Sequence, residues 1–188
     1  SAAHVMAEAI QSVFPGAMLV YGPPVENGFY YDIALPDGVS ISTDDFERIE
    51  TIMDEIIKSD RPFTRCDLST VEGLKRLESE GSKYKLDNAT RAIDGGAESL
   101  SWYATGTTGE DWDDLCAGPH VPSTGRIGAA KMMSVAASYW HGDANSDHLT
   151  RVYGTAFPDK KRLAAHLGQL EEARKRDHRV IGRKLGLF

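Results

Sequence analysis

The chain has 188 residues, a net charge of −7, 41% hydrophobic and 26% charged residues; that suits one domain of roughly 150 residues with an appendage and excludes disordered, collagenous and coiled-coil classes. No run approaches the roughly 18 apolar residues of a membrane-spanning helix, and the sequence does not open on the basic-then-apolar pattern of a secretory signal. Two cysteines make no disulfide framework, so a reducing cytoplasm is expected. The charge is uneven: residues 160–188 carry nine Lys or Arg against three acids, and residues 1–159 sum to −13. An acidic body argues against broad, unspecific nucleic-acid binding.

Residues 2–14 read as a helix with Val5, Ala9 and Val13 on one face. Pro15-Gly16 stops it. Residues 17–20 and 29–33 read as strands, with Asn27-Gly28 as a hairpin turn. Residues 43–59 form an amphipathic pattern through Phe46, Ile49, Met53, Ile56 and Ile57, capped by Ser42 and Asp45. A strand at 62–68 and a helix at 71–80 follow. Residues 86–99 give weak signals. Strands are expected at 100–104 and after Gly125, through Met132, Val135 and Tyr139. From Pro158, which suits a first helical position, one long helix is expected to the end of the sequence, about 40 Å at about 1.5 Å per residue. The expected class is α+β, an antiparallel sheet with packed helices followed by a long C-terminal linker helix.

Cys116 and His120 form C-x-x-x-H across Gly118-Pro119. Thiolate and imidazole are zinc-type ligands, but the spacing fits a buried structural cysteine equally well. The intervening Gly-Pro excludes a regular helix, so a turn would have to bring the pair together. His4 matters only if its helix faces that pair. Asp114 would alternate onto the Cys116 side of an extended segment, whereas Asp111 and Asp113 read as a solvated acidic loop. Lys83 and Lys85 flank Tyr84 and read first as surface lysines. Tyr30-Tyr31 and Tyr139-Trp140 read as core or half-buried strand residues, and Cys66 as structural. No phosphate loop or dinucleotide fingerprint occurs. The residues alone support an α+β domain with a possible Cys/His pocket.

Several longer segments go further. Gly22 to Asp32 (GPPVENGFYYD), Asp114 to Pro122 (DLCAGPHVP), Ala137 to Asp143 (ASYWHGD) and Arg151 to Lys160 (RVYGTAFPDK) resemble the editing domain of bacterial-type threonyl-tRNA synthetase, as do SAAHV at the start and KRDHR and GLF near the end. Residues 86–111 are the least family-like. The resemblance implies that residues 1–157 are the editing, or second additional, domain and residues 158–188 a linker helix toward a catalytic core. It implies hydrolysis of mischarged seryl-tRNA(Thr) at the tRNA acceptor end, with His4, Lys85, Cys116 and His120 as catalytic residues and Tyr31 and Asp114 as substrate-binding ones. The family pattern H-S-x-x-H matches at Ser1 and His4, its first His falling immediately before Ser1. Editing requires no cofactor; zinc, if bound, would lie on His4, Cys116 and His120, whereas ATP, threonine and a structural zinc belong to the catalytic core. The implied partners are tRNA(Thr), the catalytic and anticodon-binding domains, and a second copy in a homodimer, with no membrane. Two other readings are a free-standing zinc-dependent deacylase of the alanyl-editing type and a non-catalytic tRNA-positioning module.

Overall fold

The computed structural model describes residues 1–176. The chain begins with α1 (Ala2–Val13), whose small Ala2, Ala3, Ala7 and Ala9 let other elements approach it from nearly every side. Three strands follow: β1 (Met18–Tyr21), β2 (Pro24–Val25) and β3 (Gly28–Ala34). Val25 pairs with Gly28, so the hairpin tip is Glu26-Asn27, one residue earlier than the Asn-Gly signal suggested. Asn27 takes the left-handed conformation the turn needs (φ 64°). Gly28 packs against the Gly154 carbonyl, where a Cβ would not fit.

A 3₁₀ turn (Thr43–Asp45) carries the anticipated Ser42/Asp45 capping box and leads into α2 (Phe46–Lys58). Ile49, Met53, Ile56 and Ile57 form its buried face, as their spacing predicts. Next come β4 (Phe63–Ser69), α3 (Thr70–Glu80), α4 (Lys83–Asp94), β5 (Ser99–Thr105) and β6 (Asp113–Leu115). The last strands are β7 (Ala129–Tyr139) and β8 (His148–Phe157), before α5 (Lys160–Lys175).

The α+β class stands. Two antiparallel sheets form, one in the order β1-β3-β8-β7 with β2 on β3, the other β4-β5-β6. The main core lies between the first sheet, α1 and α2, through Val5, Ile10, Ile33, Ile49 and Val152. A smaller core under the second sheet joins Leu77, Ala89, Leu100 and Trp102. Polar bonds also tie α1 to the second sheet. Glu8 accepts from the Arg61 guanidinium at 2.6 Å and the Thr105 hydroxyl at 2.6 Å, and the Trp112 indole donates to Gln11 at 2.7 Å.

Besides the short β2 and β6, two longer elements were not anticipated. The weak stretch contains most of α4, capped by Ser82, which accepts from the Lys85 amide at 3.3 Å. β8 pairs with both β3 and β7 at the centre of its sheet. The C-terminal helix also begins later than expected: Asp159 is its N-cap, so Pro158 precedes the helix. Leu163, Leu167 and Leu170 are half-buried, and no residue of α5 is fully buried. The expected continuation over residues 177–188 lies outside the described residues. Among the described residues no helix is long and apolar enough to cross a membrane.

Candidate active site

His4 comes from the first turn of α1 and is 5% exposed. Opposite it, Cys116 and His120 sit on the loop leaving β6. That loop is anchored by the Cys116 amide donating to the Ser101 carbonyl at 2.9 Å and the Ser101 hydroxyl donating to the Cys116 carbonyl at 2.7 Å. It turns through Gly118, at φ 72°, which lies against the Tyr103 ring where a side chain would collide. The Gly118–Pro119 peptide is cis. The turn brings Cys116 Sγ to 3.4 Å from His120 Nε2, and the Gly118 amide donates to the same sulfur at 3.3 Å. The Ser1 hydroxyl accepts from the Val121 amide at 3.0 Å, joining the start of α1 to this loop.

The ring centroids of His4 and His120 are 4.3 Å apart. One ligand atom each from His4, Cys116 and His120 lie within 4.8 Å of one another. The three residues singled out from opposite ends of the sequence thus share one site. Aromatic rings wall it: Phe63 stacks on His120 at 4.8 Å, Tyr103 lies 4.4 Å from His120, and Trp112 meets His4 edge-on at 5.4 Å. Sequence reading missed these three. Tyr103 reaches the site because it pairs with Asp114 across β5 and β6, a register that no local pattern announces.

Beside the cluster lies a closed triangle. The Lys85 ammonium donates to Asp114 Oδ1 at 2.7 Å and to the Tyr31 hydroxyl at 2.8 Å, and the Tyr31 hydroxyl donates to Asp114 Oδ2. His4 Nε2 is 3.9 Å from Asp114 Oδ2. Lys85 is therefore no surface lysine: it is 7% exposed and bonded to both Asp114 and Tyr31. Asp113 is not a solvated loop residue either; alternation along β6 turns it to the other side, where Arg76 Nη2 donates to both its oxygens at 2.7 and 2.8 Å. Asp111 is exposed and accepts from the Thr107 amide. Lys83 stays at the surface, paired with Asp147. Tyr139 is exposed, while the Trp140 ring packs on Tyr84 at 5.1 Å.

Burial is the largest influence on the titrating groups. It pushes His4 down to about 3, aided by the Lys85 ammonium, and His120 down to about 3, aided by His4. Both imidazoles are neutral near pH 7. Burial and then the Asp114 carboxylate push the Tyr31 phenol well above its ordinary range, so it stays a donor. His4, Cys116 and the triangle line a cleft of about 770 Å³ that also takes in Pro23, Tyr30, Arg91, Trp140, His141 and Arg151. That volume suits a small organic group with part of a nucleotide.

A thiol with two imidazoles is a donor set that zinc accepts, leaving a fourth position open. The outer support is thinner than metal sites usually show: Nδ1 of His4 and Nδ1 of His120 are buried without a hydrogen-bond partner, whereas a ligating histidine ordinarily donates its second ring nitrogen to an acceptor.

Residues 103–153 match the family described as the threonyl and alanyl tRNA synthetase second additional domain. The whole chain is 48% identical to a threonine–tRNA ligase of Anaeromyxobacter dehalogenans and 50% identical to that of Rubrobacter xylanophilus, covering 28% of each relative's length. The threonine–tRNA ligase of Rhodopirellula baltica is 46% identical, again over the full chain and 24% of the relative. Along its whole length the chain matches threonyl-tRNA synthetases. Identity of this order over the whole chain includes α5 as well as the matched domain, so the resemblance reaches beyond the part shared with alanyl enzymes. The chain spans little more than a quarter of these ligases, and Cys116, His120 and Asp114 lie inside the matched domain segment while His4, Tyr31 and Lys85 lie outside it.

Proposed function

We propose that this chain is the proofreading part of a threonine–tRNA ligase and hydrolyses the ester of serine wrongly attached to tRNA(Thr). The observation that carries the reading is the meeting of His4, Cys116 and His120 beside Lys85, Asp114 and Tyr31, all but His120 lining one cleft. A synthetic site shaped for threonine cannot exclude serine, because one missing methyl group is worth only about 1–3 kcal/mol. A second, tighter site that takes serine and excludes the larger side chain supplies the rest.

Hydrolysis needs an activated water, stabilisation of the oxygen that gains charge, and a proton for the departing ribose oxygen. The neutral imidazoles of His4 and His120 are able to accept the water's proton, and the Cys116 thiol fixes the His120 ring. Asp114 and Tyr31 receive the substrate's ammonium and hydroxyl. As the substrate ammonium joins Asp114, the Lys85 ammonium is released to the ester oxygens, where it stabilises developing charge and protonates the ribose oxygen. Residues 1–157 form the editing domain in this reading, and the segment from residue 158 leads toward the catalytic core. The further partners would be the tRNA acceptor end, the remaining domains of the ligase and a second copy of it.

The second reading is hydrolysis assisted by zinc, favoured by the His4/Cys116/His120 donor set. These three residues would hold the ion, which would supply a water of lowered pKa. The orphaned Nδ1 atoms favour the metal-free reading. The test is deacylation of seryl-tRNA(Thr) and threonyl-tRNA(Thr) by this chain, before and after dialysis against a chelator. Rapid loss of serine alone, unchanged by the chelator, is expected. Loss of activity with recovery on added zinc selects the second reading, and equal inertness toward both esters overturns the function.

A further inference from the structure

The triangle has a second side. A smaller cavity of about 200 Å³, behind the triangle, is lined by Gln11, Met18, Glu80, Ser82 and Asp113 together with Lys85 and Asp114. Lys85 and Asp114 thus border both cavities. Alternation along β6 explains the arrangement, since Asp114 faces the cleft while Asp113 faces Arg76 and the rear. The rear cavity is polar and large enough for several waters. Its wall is braced: Arg76 holds Asp113 at 2.7 Å and Glu80 at 2.7 Å, and its guanidinium lies 4.8 Å over the Trp102 ring.

The reaction proposed above needs a supply of water and an exit for a proton. Water adds to the ester carbon, the bond to the ribose oxygen breaks, and that oxygen keeps one proton of the water. The amino acid leaves as a carboxylate, so one proton is released in each turnover near pH 7. While the RNA end fills the cleft, this proton and the next water need another route. We infer that the rear cavity is a solvent port to Lys85 and Asp114, admitting water and exporting the proton through that water while the RNA occupies the front. The inference rests on the hydrolase reading.

The port is tested by closing it from outside. Met18 is 40% exposed and Glu80 lies at the end of α3, and neither belongs to the hydrolytic machinery. Met18→Trp and Glu80→Trp fill the opening, and Met18→Ala and Glu80→Ala widen it. In a full-length ligase containing this chain, hydrolysis of pre-formed seryl-tRNA(Thr) is measured at saturating RNA, with thermal unfolding and threonine charging as checks on folding. The port predicts that the Trp variants lower kcat by about tenfold or more with little change in KM, while the Ala variants keep the original rate. A general structural effect would instead lower unfolding temperature and rate together in both series. Hydrolysis at the original rate by both Trp variants overturns the port but leaves the hydrolase reading intact. Failure of the unsubstituted enzyme to hydrolyse seryl-tRNA(Thr) overturns both.

Discussion

Lys85, Asp114 and Tyr31 satisfy one another, so each substitution in the triangle has a different consequence. Asp114→Asn keeps the size but removes the charge that would receive the substrate ammonium, and its one carbonyl oxygen accepts from only one of Lys85 and Tyr31. Hydrolysis of the seryl ester is expected to fall on the order of 100-fold, measured in single turnover on the folded variant. Asp114→Ala also strands a buried ammonium and is expected to lower stability by about 3 kcal/mol, measured by urea unfolding. The two histidines make stability depend on pH. Folded, both titrate near 3, whereas an unfolded histidine titrates near 6.5, so below about 6.5 the unfolded chain binds more protons. Their stabilising effect is complete above about 6.5 and is lost as pH falls toward 3. With chelator present, thermal unfolding should show this slope, and the His4→Asn, His120→Asn double variant should flatten it; an unchanged slope contradicts the buried, neutral imidazoles. His4, Cys116 and His120 were legible as residue types at suggestive spacing. Phe63 and Tyr103 were not, because strand pairing rather than local pattern places them beside His120.

At the scale of elements, α1 carries more than its own hydrophobic face. Glu8 lies one turn beyond His4 and binds Arg61 and Thr105, pinning the helix to the second sheet. Glu8→Ala removes both bonds and is expected to cost about 2 kcal/mol, read from urea unfolding. Because the same bonds aim His4 at Cys116, the hydrolysis rate of the folded variant should fall as well; a stability loss with full activity would show that α1 needs no such pin. The helices with clear apolar spacing, α1, α2 and α3, were readable in the sequence. α4 was not, because its buried face includes Lys85, a residue that periodicity assigns to solvent. β8 was missed because its motif, RVYGTAF, breaks the apolar run with Arg151 and Gly154, and both have tertiary reasons. Arg151 pairs bidentately with Asp32 at 2.7 and 2.8 Å, and Gly154 makes room for the Phe29 ring.

At the scale of the whole molecule, two antiparallel sheets meet through α1, and the cleft opens where β3, α4 and the loop after β6 converge. The α+β class followed from the mixture of helices and hairpins, but the division into two sheets depends on long-range pairings that composition does not encode. The charge division also acquires a physical sense. An acidic body is a poor general surface for RNA, so the proposed function requires a narrow contact at the cleft, with orientation supplied by the rest of a ligase. Proofreading and charging then reside in different parts of one enzyme and should be separable. The decisive measurement is the amount of serine retained on tRNA(Thr) by a full-length ligase bearing Cys116→Ala or His120→Ala, with threonine charging followed in parallel. Serine should accumulate while threonine charging stays near its original rate; loss of charging with serine still cleared, or no change in either, would contradict the assignment of this site.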